Sequence, residues 1–217
     1  YPLQTQVVDA MFFNYNTGSS SPYIGNGQWG ELGIIPTFFS DVHVRRAVAY
    51  SFNWSQFIAT AYLGEAQQVP IPMPPDYAFY NGSSALTYGI NIPQAISEWK
   101  QAWGGQVWAN GFLFSIGYKT GSLSRKTIAN MLKTALEAEN PKFHVNVWEN
   151  AWGGYRWYGQ PIFQFGWIVD YPDADDWVTP FVQSSGYFAS MQHVDMDPYS
   201  GLMDSLIRNG AHNSTFS

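Results

Sequence analysis

Two periodicities divide the chain. Residues 7–15 (VVDAMFFNY) are apolar, aromatic and β-branched, which predicts a buried strand. Residues 112–118 (FLFSIGY) and 143–148 (FHVNVW) alternate apolar with other positions, and 162–168 form another short apolar run; these predict three more strands. Helical spacing appears elsewhere. After Asp41, a residue type that caps helix N-termini, Val44, Ala47, Val48 and Ser51 fall on one face of a segment reaching about Phe52. Asn53 can cap a second helix, Trp54 to Tyr62, which Gly64 closes. Pro93 suits the first turn of a third, running to about Ala102 before Gly104-Gly105 breaks it. The clearest helix starts at Ser122 or Ser124 and ends near Glu139, with Ile128, Met131, Leu132, Ala135 and Leu136 on one face. Short helices are expected near 152–158 and 177–183, and a last one from Pro198 to about Arg208, before a polar tail at 211–217.

The remaining stretches are connectors. Residues 16–37 are rich in Gly, Ser, Asn and Pro and read as a long loop. Residues 69–76 (VPIPMPPD) hold four prolines and read as a stiff, extended link. Residues 80–91 read as loop. The β-α-β-α-β order from 112 to 168 predicts an α/β fold, a mixed β-sheet flanked by helices. Its 217 residues suffice for one domain with a real core.

Composition narrows the function. Charged residues are only 12% and aromatics 18%, with 10 Trp. Sixteen acids against ten bases give a net charge of −6, and five Lys with five Arg suit a polyanion poorly, so no nucleic-acid partner is expected. No apolar run approaches the roughly 18 residues of a membrane-spanning helix. The absence of cysteine excludes disulfides, thiolate metal sites and cysteine nucleophiles. The chain starts at Tyr1 without a signal-type segment, as a piece of a longer protein would. The triplets at Asn53, Asn81 and Asn213 are compatible with secretion.

The most unusual window is 157–207, with seven Asp and neither Lys nor Arg. A solvated acidic loop that caps nearby helices is the plainest reading. Asp173, Asp175 and Asp176 offer hard oxygen ligands of the kind Ca²⁺ takes, but without EF-hand spacing; no metal site is expected. Alternatively, Asp170 directly follows the strand 162–168, where ligands gather in open α/β sheets, and could receive a cationic group. Trp167 ends that strand and Trp152 opens the helix after the preceding one, so both rings fall on the Asp170 edge, as pocket walls or as core. Trp148 and Trp177 read as core or half-core, and His144 as a satisfied structural histidine. Paired carboxylates with many Trp would also suit a glycan hydrolase, although no nucleophile elbow, P-loop or dinucleotide fingerprint is present.

Six segments in order resemble one family. FSDVHVRRAVAY at 39–50 resembles the "F-x-D-x-R-V-R-x-A-[LV]" helix start of dipeptide and oligopeptide solute-binding proteins, family 5, the extracellular receptors of ABC importers. Residues 53–58 resemble its "D-R-x-x-I" helix, 69–75 its "P-x-P-P" connector and 88–103 its "Y-x-x-[DN]-x-x-x-A-x-x-L-L-x-x-A" segment. FGWIVDYPD at 165–173 resembles its "G-W-x-x-D-Y-x-[DE]-P" segment and 199–207 its "[FY]-x-x-L-[IM]" helix. The departures are His43 for an Arg, Asn53 for an acid, the order Tyr171-Pro172-Asp173 and a longer 16–37 loop.

The resemblance implies one lobe, residues 1–217, of a two-lobed periplasmic-binding-protein-like fold, with the other lobe and returning segment outside it. It implies a binding protein and not an enzyme, without a cofactor, monomeric, extracellular or periplasmic and anchored at the cell surface. It implies a peptide ligand and membrane permease partners. Asp170 matches the Asp that holds a peptide's α-ammonium group, and Trp167 and Trp152 match pocket tryptophans. Gln164 stands where the family has an Arg, and Tyr171 completes the candidate ligand-binding set. Relatives that bind cello-oligosaccharides, nickel or haem leave a non-peptide solute as the alternative.

Overall fold

The computed structural model describes residues 7–150 and 159–212. Its strands are β1 (Val7–Phe13), β2 (Gly25–Gly30), β3 (Phe112–Lys119), β4 (Phe143–Asn150) and β5 (Ile162–Ile168). Its helices are α1 (Val42–Ser51), α2 (Trp54–Ala61), α3 (Ile92–Trp99), α4 (Gln106–Asn110), α5 (Leu123–Glu139), α6 (Asp175–Val182), α7 (Tyr187–Gln192) and α8 (Ser200–His212). This is the expected mixed α/β class, with small sheets. The helix expected near 152–158 and Trp152 lie outside the described residues.

Side-chain caps fix the early helix starts. Asp41 Oδ1 accepts from the N–H groups of His43 and Val44, at 2.6 and 3.4 Å, and begins α1. Asn53 and Asn91 do the same for α2 and α3 through Gln56 and Gln94. The apolar face of α1 is buried at Val44, Ala47, Val48 and Ser51, as its spacing requires. In α5 the buried set is Ile128, Ala129, Leu132 and Leu136.

The chain forms two compact units, Phe13–Gln68 with Tyr88–Gln164, and Tyr1–Phe12 with Val69–Thr87 and Phe165–Ser217. In the larger unit β3 and β4 pair in parallel, Phe112 against Phe143 through Lys119 against Asn150, with α5 as the crossover. Lys133 on α5 donates to the Val145 carbonyl at 2.6 Å, and Glu137 accepts from the Val145 N–H at 3.0 Å. These two side chains, themselves paired at 2.6 Å, satisfy backbone groups on β4. Burial pushes the Glu137 carboxyl up, but the Lys133 ammonium and the Val145 N–H together bring it below its ordinary value.

Four local expectations are corrected. The stretch 112–168 does not build one continuous sheet: β5 pairs with β1, and β3–β4 is a separate two-stranded sheet. The 16–37 loop contains β2, hidden by its glycines; Gly25 and Gly30 both bridge to Gly33. A Cβ at Gly33 would meet the Ile24 carbonyl and Asn26 nitrogen at 2.8 Å, so this close backbone approach requires glycine. The third helix stops at Trp99, because Trp103 turns to φ +49° and gives its N–H to Asp41 Oδ2 at 2.8 Å. Asp41 thus caps α1 with one oxygen and holds the 102–105 turn with the other. The short α4 and α7 carry no side-chain cap, so the sequence offers no start signal for either.

In the smaller unit Asp204 on α8 accepts from the Ser184 hydroxyl at 2.6 Å and the Ser184 N–H at 2.8 Å. The hydroxyl first, then the N–H and the charge of Arg208, hold its carboxyl below the ordinary value against a small effect of burial. A depressed folded pKa stabilises above the unfolded value and loses that effect as pH falls through the folded one. Asp204→Asn should therefore unfold at a lower temperature than the parent at pH 7. That gap should begin to narrow as pH falls below about 4, the ordinary carboxylate range, and close only below the depressed folded value. Thermal unfolding followed from pH 7 to pH 2.5 reads it; a gap that persists unchanged in acid rejects the assignment.

Candidate functional site

Strand β5 delivers the first candidates. Its first three residues are buried and its last is exposed, so the strand emerges towards solvent at Trp167 and Ile168. Trp167 is half-buried. Its ring lies edge-on to Phe188 with centroids 5.6 Å apart and tilted to Tyr187 at 6.3 Å. Beneath them Phe188 is fully buried and also stacks on Phe12 at 4.8 Å. Tyr187 is 48% exposed, so the Trp167–Tyr187 pair presents aromatic surface above an apolar floor.

Asp170 follows immediately, with its carboxylate exposed. Its backbone N–H donates to Asp176 Oδ2 at 2.8 Å, and the Trp167 indole N–H donates to that same oxygen at 3.3 Å. Asp176, in the first turn of α6, is only 4% exposed. The N-terminal end of a helix favours such a carboxylate. Tyr171, also exposed, donates its hydroxyl to Asp175 Oδ2 at 3.0 Å; this bond first, with burial and the neighbouring acids, raises the phenol above its ordinary value.

The other acids of the window serve local structure. Asp173 accepts from the Asp175 N–H at 2.9 Å, and Thr179 donates to Asp175 at 2.6 Å. Asp197 accepts from the Tyr199 N–H ahead of α8. Among the described residues no three ligand-type side chains are grouped to hold a metal ion. Local backbone and hydroxyl donors thus occupy Asp173, Asp175 and Asp197, whereas the exposed Asp170 shares, through its backbone N–H, the acceptor of the Trp167 indole.

The remaining candidates are placed differently. Gln164 belongs to the larger unit and is buried. Trp152 lies outside the described residues. Trp177 is fully buried, edge-on to Tyr77, and Trp148 is 38% exposed against Tyr23, which matches core and half-core. His144 sits 3.4 Å from Glu31. Sequence reading missed Asp176 as a separate actor, because nothing in Asp175-Asp176-Trp177 marks the second acid as the buried one. It also missed Tyr187 and Phe188, whose adjacent rings carry no helical or strand signal.

No curated protein matches the sequence significantly. Several solved structures share the fold. The periplasmic binding protein DppA from Helicobacter pylori, in complex with peptide STSA, superposes with a TM-score of 0.67 at 21% identity, over 94% of this chain and 36% of that one. OppA from Listeria monocytogenes, bound to peptide, gives 0.68 at 15% identity, over 95% and 40%. NikZ from Campylobacter jejuni, in complex with Ni(L-His), gives 0.64 at 14% identity, over 98% and 42%. The chain thus spans 36–42% of the length of these three. Among the described residues no helix is long and apolar enough to cross a membrane. Residues 4–189 match the middle region of the bacterial extracellular solute-binding proteins, family 5. Proteins of that family are periplasmic or extracellular, non-enzymatic components of ABC importers that pair with permease subunits. The chain belongs to the bacterial extracellular solute-binding proteins, family 5.

Proposed function

We propose that this chain is one lobe of a longer, monomeric receptor, anchored at the cell surface, that captures peptides and passes them to membrane permease subunits. Asp170 anchors the peptide's α-ammonium group, Trp167 and Trp152 line side-chain pockets, and Tyr171 and Gln164 complete the ligand-binding set. The observation that carries this reading is the exposed Asp170 carboxylate beside the Trp167–Tyr187 aromatic pair, in a window without Lys or Arg. A cleft that closes over the ligand excludes water, so one carboxylate suffices to fix an ammonium and the peptide's register. Two peptide-bound structural neighbours support a peptide, and the aromatic lining accommodates varied side chains.

Calorimetric titration of the full receptor tests it. Tripeptides with a free amino end should bind, and N-acetylation should abolish the heat. Asp170→Ala should weaken binding by about 3–5 kcal/mol, roughly 10²–10⁴-fold, the cost of leaving one member of a buried ion pair alone. Unchanged affinity in Asp170→Ala removes Asp170 from the site. Heat from oligosaccharides, with silence from peptides, reassigns the ligand.

A further inference from the structure

The geometry points to Asp176 as a positioning residue that sets the aromatic wall and the anionic anchor of the site together. Asp176 Oδ2 accepts from the Asp170 N–H at 2.8 Å and from the Trp167 indole at 3.3 Å, and the residue is 4% exposed. The two donors lie three residues apart, one at the end of β5 and one in the turn that follows. A single acceptor atom on α6 therefore ties strand end, turn and helix to one point.

Among the described residues Asp176 Oδ2 is the acceptor that both donors share. The window 157–207 contains no Lys or Arg to compete for the carboxylate. Asp173 and Asp175 already accept from the Asp175 N–H, the Thr179 hydroxyl and the Tyr171 hydroxyl. The ring contacts of Trp167 with Phe188 and Tyr187 orient the indole plane but supply its N–H with no carboxylate or carbonyl acceptor. Without the Asp176 oxygen both N–H groups lose an acceptor, and the Asp170 side chain is carried on an untethered turn. The Trp167 and Asp170 contributions to binding are then coupled through a residue that touches no ligand. This coupling rests on the assignment of Asp170 and Trp167 to the ligand site; the tether itself does not.

Hydrogen exchange followed by NMR on the 217-residue chain reads the tether without any ligand. In Asp176→Ala the Trp167 indole N–H and the Asp170 amide should both exchange about tenfold faster or more, the scale of a lost hydrogen bond to a charged group. The Trp99 indole N–H, bonded to Glu139 in the larger unit, should not change. Asp176→Asn, which keeps an acceptor oxygen, should restore both. Unchanged exchange in Asp176→Ala, or no restoration by Asn, overturns the proposal. Should Asp176→Ala fail to fold, the unmutated chain decides: the two protons should show matching protection factors, because one opening frees both, and a disparity of about tenfold or more overturns it. In the full receptor, titrated with the tripeptide Phe-Ala-Ala, Asp176→Ala should weaken binding and Asp176→Asn should recover it, while adding Asp176→Ala to Asp170→Ala should cost less than Asp176→Ala costs alone, because only the Trp167 contribution is then left to lose. An additive loss overturns the coupling. Unchanged affinity in Asp170→Ala alone instead removes the peptide-anchor reading, and the tether then stands or falls on the exchange rates.

Discussion

Trp99→Ala should lower the stability of the larger unit by about 3–5 kcal/mol, the usual cost of deleting a fully buried large aromatic side chain. Trp99 is the last residue of α3 and is 0% exposed. Its ring packs against Phe112 at 5.4 Å and Phe143 at 5.1 Å, and those two stack on each other at 4.2 Å. They are the first register pair of the β3–β4 ladder, so one indole covers the point where the parallel sheet begins. A second interaction adds to the packing. The indole N–H donates to Glu139 Oε2 at 2.7 Å, at the C-terminal end of α5, where a carboxylate faces the unfavourable end of the helix dipole. Burial raises the Glu139 carboxyl above its ordinary value, while the bonds from Ser51 and Trp99 hold it down. Trp99→Phe keeps most of the ring and removes only this donor, and should cost about 1–3 kcal/mol, raising the Glu139 carboxyl further. Urea unfolding followed by far-UV circular dichroism measures both. A loss below about 1 kcal/mol for the alanine variant, far under the usual cost of such a deletion, would mean that α3 and the sheet do not depend on each other through this ring.

Phe188→Ala should have a comparable effect, about 3–5 kcal/mol, in the smaller unit. Phe188 is fully buried on α7 and contacts Phe12, Phe181, Phe165, Tyr187 and Trp167 with centroids between 4.8 and 5.6 Å. Deleting it opens a cavity that rings of fixed shape cannot close, because flat side chains relax little into a void. The expected signature is local. Amides of α6 and α7 should lose protection from exchange, while those of β3 and β4 keep theirs. Trp167 also loses its floor, so the full receptor should bind peptide more weakly even though Phe188 itself stays beneath the surface. Equal loss of protection in β3 would show that the two units do not unfold separately.

Much of the secondary structure was legible because it is written locally. Asp41 and Asn53 are polar residues that bond the N–H groups two or three positions on, and such bonds need no distant partner. The periods of α1 and α5 and the alternation of β4 follow from which side must leave water. Strand β2 was not legible, because its extended backbone rests on the close approach of Gly25 and Gly33, and glycine gives no strand signal. Short α4 and α7 were not legible either, since tertiary packing decides helices of five or six residues.

The candidate site divides in the same way. The sequence alone placed Asp170 and Trp167 beside each other at a strand end, since three residues of chain separate them, and it placed them in a stretch free of cations. It also carried the family, through six short segments in order. Only the tertiary structure decided which strand β5 joins, because pairing with β1 is chosen by long-range contacts that no local pattern encodes. Only the tertiary structure separated the acids of 170–176. Asp170 remains exposed and Asp176 is buried beneath two donors, although both are aspartates in the same run. The reason is physical. The chemistry of a carboxylate is fixed by its residue type, but its solvation and partners are fixed by what folds over it, and here α6 turns Asp176 beneath the end of β5 and leaves Asp170 facing the solvent.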